Sequence, residues 1–215
     1  MAINDINTLT YIKSLYSDRY RDLESFAKIF EIPIVQREVA ELLKVLVRMN
    51  EPKRIVEVGT AIGYSSILMA NESEAKVLTM EVDESIAHIA RDNIENYGLE
   101  DRIDVEIGDA KDLLKNLEGS YDMAFIDAAK GQYKDYFDLI YPHISDGGLI
   151  ISDNVLFRGM VSDFDACPRR QRTLVRKLRE YLHYICNTEG LYTSILPVGD
   201  GLAISYKEKE VENYE

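Results

Sequence analysis

The sequence predicts an α/β protein built on an open, mostly parallel seven-stranded sheet with helices on both faces. Three observations carry that expectation. Residues Arg54 to Ser66, RIVEVGTAIGYSS, read as a β-branched strand, a glycine turn and the start of a helix. From Glu51 to Asn154 apolar strand runs alternate with amphipathic helical stretches, the pattern of βα units that give a parallel sheet. Near the C-terminus two alternating strands, YTSILPV and LAISYK, are joined through Gly199, Asp200 and Gly201, which signals a tight antiparallel hairpin.

Taken in order, residues 1–50 read as a helical cap or partner surface: DINTLTYIKSLY, RYRDLESFAKIFE and QREVAELLKVLVRMN. The third carries Val39, Leu42, Leu43, Leu46 and Val47 as an apolar stripe, with Lys44 and Arg48 outside it. The link IPIV precedes it. Pro33 enforces extended backbone there, so the link either serves as a connector or closes over a ligand with Val35 touching it.

The core spans residues 51–207. Strand one ends at Val58 and a helix runs from Gly63 to Asn71; strand two is Lys76 to Met80. The helix ESIAHIARDNIENYG stops at Gly98, a residue suited to a left-handed cap. Strand three is Ile103 to Ile107, followed by a short helix from Asp112 to Leu117. Strand four is YDMAFID, then come the loop AAKGQ, the helix YKDYFDLIYPHI, strand five GGLIISDN, a polar loop and the basic helix RRQRTLVRKLREYLHYIC. An acidic tail occupies 208–215, so the whole of 1–215 reads as one domain.

Composition narrows the function. A net charge of −13 disfavours a general nucleic-acid binder, because any RNA partner needs a local basic patch to overcome it. No apolar run is long enough for a bilayer span, and MAINDINTLTYIK lacks the layout of a signal peptide, which points to a cytoplasmic protein without a membrane partner. Cys167 and Cys186 have no metal-ligand spacing and read as free thiols.

The glycine turn suits a small polar ligand, since bare backbone lets it approach the N–H groups of a helix start. Glu81 ends strand two about twenty residues later, where α/β folds place the acid that binds ribose hydroxyls, and Asp109 follows strand three. A dinucleotide fingerprint would need glycines at Gly59, Ala61 and Tyr64, and only the first is present; no Gly-Lys-Ser/Thr of a P-loop follows. The ligand expected is therefore a ribose- and adenine-bearing cofactor without a pyrophosphate. An ordinary βα turn needing glycine only for geometry has the same appearance.

A second constellation lies at the tips of strands four and five. As neighbours about 5 Å apart, those strands would bring Asp127, Asp153 and Asn154 to one point. Two acids so placed repel each other unless a cation lies between them, and three oxygen ligands suit Mg²⁺, with Mn²⁺ and Ca²⁺ as alternatives. His88, His143 and His183 lack ligand spacing, which argues against zinc. Acids at strand ends also cap helices and loops. Lys130, three residues beyond Asp127, would face the same substrate oxygen or stand as a solvated loop lysine.

With DAAKG and SDNVLFRG beside VEVGTAIGYSS, the chain resembles, over nearly its whole length, the cation-dependent O-methyltransferases that use S-adenosylmethionine, the catechol and caffeoyl-CoA O-methyltransferase family. Its short length, the IPIVQ link and DNVLFRGMV resemble the bacterial branch that methylates 5-hydroxyuridine at the tRNA wobble position to 5-methoxyuridine. The resemblance implies a Rossmann-like methyltransferase fold with Asp127, Asp153 and Asn154 on the metal, and Glu81 on the ribose. It further implies Asp109 and Ala110 at the adenine, Ser65 at the methionine carboxylate, and Val35 and Asp127 against the cofactor. Glu57, Gly59 and Gly63 would shape the pocket wall, and Lys130 falls where the catechol enzymes keep their general base. Where relatives often carry a second charged residue before the lysine, this chain reads Asp-Ala-Ala-Lys. The resemblance also implies a homodimer.

A positive strip, Arg169, Arg170, Arg172, Arg176, Lys177 and Arg179, follows strand five, and Arg158 precedes it. It reads either as a surface for the tRNA anticodon arm or as a solvated helix face paired with Asp163, Asp165 and Glu180. Three functions stand side by side: a tRNA methyltransferase, a methyltransferase of small catechol-like or hydroxycinnamoyl molecules, and a non-catalytic binder of an adenosine ligand.

Overall fold

A computed structural model of the chain describes residues 6–165 and 167–209. Most of the expected acidic tail, and Asp5 at the head of the first expected helix, lie outside the described residues.

The N-terminal stretches form three helices, α1 (Ile6–Ser14), α2 (Arg21–Ile29) and α3 (Arg37–Asn50). The apolar stripe of α3 works as its spacing requires, with Val39, Leu43 and Val47 buried. Then come β1 (Arg54–Val58), α4 (Tyr64–Asn71), β2 (Lys76–Glu81), α5 (Glu84–Asn96), β3 (Ile103–Ile107) and α6 (Ala110–Leu114). The chain continues as β4 (Tyr121–Ile126), α7 (Tyr133–Ile140), β5 (Ile144–Ser152), α8 (Arg172–Asn187), β6 (Leu191–Leu196) and β7 (Leu202–Lys207).

The seven strands form one sheet in the order β3-β2-β1-β4-β5-β7-β6. The first five run parallel, while β7 pairs antiparallel with both β5 and β6. β1 is buried on both sides, and its residues alternate between two cores. Ile55 joins Leu43, Val47, Ile67 and Phe125 under the N-terminal helices. Val56 and Val58 join Ile126, Phe137, Leu178 and Tyr181 on the other face. After β1 the chain winds outward through β2 and β3, then returns to β4 on the far side of β1. Strand order therefore reverses between β1 and β4, the place where open α/β sheets leave a crevice beyond their carboxyl ends.

Several boundaries differ from the sequence reading. α6 begins at Ala110 rather than Asp112, because Asp109 accepts a hydrogen bond from the Lys111 N–H (2.8 Å) and acts as its N-cap. α7 stops at Ile140, and Pro142 lies in a 3₁₀ turn, Tyr141–His143. Another such turn, Lys130–Gln132, replaces part of the expected loop before α7. The β6–β7 hairpin is joined by residues 197–201 rather than by Gly199, Asp200 and Gly201 alone, since β6 stops at Leu196. Cys167 is buried and Cys186 exposed, both as free thiols. Among the described residues no helix is long and apolar enough to cross a membrane.

Candidate active site

At the tip of β1 the chain turns at Gly59, whose φ of 102° lies in the left-handed region. A Cβ there would sit 2.1 Å from the Asp127 carbonyl oxygen, so only glycine lets the ends of β1 and β4 come this close. Gly63 (φ 83°) opens α4. Between them the Ala61 N–H donates to Glu81 Oε2 (2.9 Å), while the N–H groups of Val82 and Asp83 donate to Oε1 (3.0 Å each). Three backbone amides thus hold the Glu81 carboxylate in place, leaving lone-pair capacity toward the crevice.

That crevice is a cavity of about 420 Å³. Of the residues singled out from sequence, Val35, Gly59, Ser65, Glu81, Asp109, Ala110, Asp127, Lys130 and Asn154 line it. Glu57 and Gly63 are not in the lining. Glu57 instead is fully buried, accepting hydrogen bonds from Ser66 Oγ and from Thr79 Oγ1 (2.6 Å). Burial pushes its carboxyl up to about 7, against the pull of its hydroxyl donors, and Oε1 has no partner. The cavity also takes Tyr64, Met80, Gln132 and Tyr136, which the sequence reading missed. Met80 closes a strand already recognised. The tyrosines carry no local signal, since each looks like helix core.

The tips of β4 and β5 are adjacent, as the metal hypothesis requires. The Asp127 N–H donates to the Val58 carbonyl (2.9 Å) and the Asp153 N–H to the Ile126 carbonyl (3.0 Å). Asp153 is 0% exposed; its Oδ1 accepts from the Asn154 N–H (2.6 Å) and its Oδ2 has no partner. Burial, reinforced by the Asp127 charge, pushes the Asp153 carboxyl up to about 7. Burial also raises Asp127, opposed by Lys130, whose Nζ lies 3.9 Å from Oδ1. A buried carboxylate oxygen without a partner, beside a second carboxylate, is a costly arrangement that a divalent cation would relieve. The donor set of two carboxylates and the Asn154 amide fits a hard ion. Among the described residues no group of three His, Cys, Asp or Glu side chains has metal spacing, and here the third donor would be an amide.

A second opening, of about 510 Å³, is lined by Gln36, Phe157, Arg158, Gly199 and Asp200, and again by Lys130 and Asn154. Asp200 shapes its rim by accepting the Arg158 N–H. The N-terminal half of α8 packs beside the Lys130–Gln132 turn, where Lys177 Nζ donates to the Gly131 carbonyl (3.1 Å). Arg169, Arg170 and Arg176 are exposed. Arg172 departs from the expected RNA-facing strip: its guanidinium turns back to the carbonyls of Cys167 (3.2 Å) and Asp165 (3.3 Å) and closes its own loop.

A sheet of this order, with a glycine turn and a ribose-height acid at the switch point, defines the Rossmann-like methyltransferase fold. The O-methyltransferase family model matches residues 13–208, and the chain belongs to that family. It is similar to the catechol O-methyltransferase of Niastella koreensis, 36% identical over 129 residues; the match spans 57% of this chain and 58% of that protein, under two thirds of the relative's length. Among solved structures, a Staphylococcus aureus protein provisionally named a caffeoyl-CoA O-methyltransferase has a TM-score of 0.86 at 39% identity, covering 94% of this chain and 100% of that one. An O-methyltransferase from Bacillus cereus, solved in complex with SAH, has a TM-score of 0.82 at 27% identity, covering 93% of this chain and 96% of that one.

Proposed function

We propose that this protein transfers the methyl group of S-adenosylmethionine to the hydroxyl of 5-hydroxyuridine at the wobble position of tRNA, with Mg²⁺ held by Asp127, Asp153 and Asn154. The observation that carries the reading is that two openings meet at Lys130 and Asn154, one suited to a nucleoside-bearing donor and the other open to an acceptor.

In the donor cavity Glu81 would accept from the ribose hydroxyls, and Asp109 and Ala110 would border the adenine. Ser65 would meet the methionine carboxylate, with Val35 and Asp127 packed against the donor. A bound divalent cation supplies positive charge that makes an adjacent hydroxyl more acidic. Asp127, Asp153 and Asn154 would hold it, and their rigidity comes from the strand tips. Lys130 takes the acceptor hydroxyl's proton as general base and passes it to solvent. The oxygen forms its bond to the methyl carbon as the sulfonium carbon–sulfur bond breaks, giving a methyl ether and S-adenosylhomocysteine. The walls contribute by holding both reactants at attack distance.

Two features support an RNA acceptor. Arg158 lines the outer opening, and the exposed Arg169 and Arg170 lie just before, and Arg176 within, the helix that abuts the Lys130 turn. The deciding experiment is mass spectrometry of tRNA nucleosides from cells lacking this protein. Loss of 5-methoxyuridine with a rise in 5-hydroxyuridine is expected, and an unchanged profile overturns the tRNA assignment. A small catechol-like acceptor is the second reading, favoured by the catechol O-methyltransferase similarity. Offering both acceptors with S-adenosylmethionine and Mg²⁺ separates the two.

A further inference from the structure

Among the described residues, Asp200 is the one acid in the lining of the outer opening, where it stands with Lys130, Asn154 and Arg158. It belongs to the link between β6 and β7, and that link is wedged between two other elements. A Cβ on Gly199 would come within 2.7 Å of Val39 Cγ2 on α3, and one on Gly201 would strike the Leu156 side chain. Main-chain bonds hold the second contact: the Leu156 N–H donates to the Asp200 carbonyl (3.0 Å) and the Val155 N–H to the Gly201 carbonyl (2.9 Å). The carboxylate itself is fixed through Oδ1, which accepts the Arg158 N–H. That bond takes one of roughly four lone-pair sites on an ionised carboxylate, so Asp200 keeps acceptor capacity on the wall of the opening.

A carboxylate here works against the approach of a polyanion unless the incoming base brings it a hydrogen-bond donor. Lys130, Arg158 and Gln36 bring donors to the same wall. An acceptor set among donors complements the edge of a uracil ring, whose N3–H lies between two carbonyl oxygens. A cytosine carries a bare lone pair at N3, and facing Asp200 it would leave two acceptors opposed, a built-in penalty against the wrong base.

We propose that Asp200 is a specificity-determining residue for the acceptor base: its carboxylate accepts the N3–H of 5-hydroxyuracil and turns away 5-hydroxycytosine, whose N3 has no proton. The proposal rests on the tRNA reading above and names the contact by which that reading selects its base.

The test is transfer of labelled methyl from S-adenosylmethionine, with Mg²⁺ present, to two anticodon-loop RNAs carrying either 5-hydroxyuridine or 5-hydroxycytidine at the wobble position. The ratio of kcat/KM for the two RNAs is compared among wild type, D200N and D200A. D200N keeps an oxygen for the Arg158 N–H and turns the remaining acceptor into an amide donor. Wild type is expected to prefer 5-hydroxyuridine, and D200N to shrink that preference about tenfold or more, chiefly through KM. D200A, which offers neither group, is expected to shrink it as well. The two bases also differ at C4, beside the reacting hydroxyl, but that difference is common to all three proteins, so the change in ratio isolates Asp200. If Asp200 only caps its loop, the variants keep the wild-type ratio, which overturns the proposal, as does a wild type that uses both RNAs equally. A further reading needs no variant: with 5-hydroxyuridine methylated at N3, which keeps both carbonyls, wild type is expected to show a raised KM, and an unchanged KM contradicts the hydrogen bond. Wild type that methylates a catechol and neither RNA removes the tRNA reading and this proposal with it, an outcome distinct from an unchanged ratio, which removes the proposal alone.

Discussion

Glu57 illustrates how much one buried carboxyl can set. It lies on β1 beneath the glycine turn, bonded to Ser66 and Thr79, with burial raising its carboxyl from 4.5 to about 7. The native protein therefore keeps a proton that the unfolded chain gives up at lower pH. The contribution is fully present below the unfolded value and is lost as pH rises through about 7. An ionised Glu57 should destabilise the native state by something on the order of 3 kcal/mol above that pH. Glu57→Gln, which stays neutral, should be more stable than wild type at pH 8 and indistinguishable from it near pH 4.5. Urea melts at both values check this, and parallel pH profiles for the two proteins would refute it. The residue's place was only partly legible. Its position in VEVG marked it as important, but strand alternation sends it to the face under α4, behind the cavity rather than into its wall.

At the scale of elements, the strands were legible because their β-branched runs are short and bounded by glycine or acid, and the acids at their tips followed from the strand ends. The helix after β3 was placed too late because Asp109 was read for a ligand, while its carboxylate also caps the helix. Tyr64, Tyr136 and Gln36 reach the openings only because the winding order brings their elements together, which no local pattern records. The left-handed backbones of Asn154, Phe157 and Arg158 were equally silent, since none is glycine. These features matter for the basic helix. Arg172 serves its own loop, so the residues expected to meet phosphate are Arg169, Arg170 and Arg176. Replacing these three with alanine should weaken tRNA binding and reduce the slope of log affinity against log salt by roughly one for each phosphate left without its arginine. Filter binding across a salt series measures both. Unchanged affinity and slope would leave the strip a solvated helix face and favour a small-molecule acceptor.

Over the whole molecule, the two cores lock the sheet between helical layers, yet α1 buries none of its residues. Ile6, Tyr11 and Leu15 in and just after α1, with Ile29 and Phe30 at the end of α2, stand exposed. Their expected partner is a second copy of the chain. Light scattering should give twice the 24.6 kDa chain mass, and a Tyr11→Glu, Phe30→Glu variant should run at the single-chain mass. A wild-type monomer would refute that pairing. If the acceptor is RNA, a net charge of −13 makes the exposed arginine strip the place where it is expected to approach. The proposed chemistry rests on one arrangement, in which the adjacent tips of β4 and β5 carry Asp127, Asp153 and Asn154 at the cavity beyond β1. The most direct measurement is transfer of labelled methyl from S-adenosylmethionine to tRNA carrying 5-hydroxyuridine, or to a catechol, by EDTA-stripped enzyme before and after Mg²⁺ is restored. No transfer until Mg²⁺ returns, and none at all in Asp153→Ala, is the predicted result; full transfer by the stripped enzyme would contradict it.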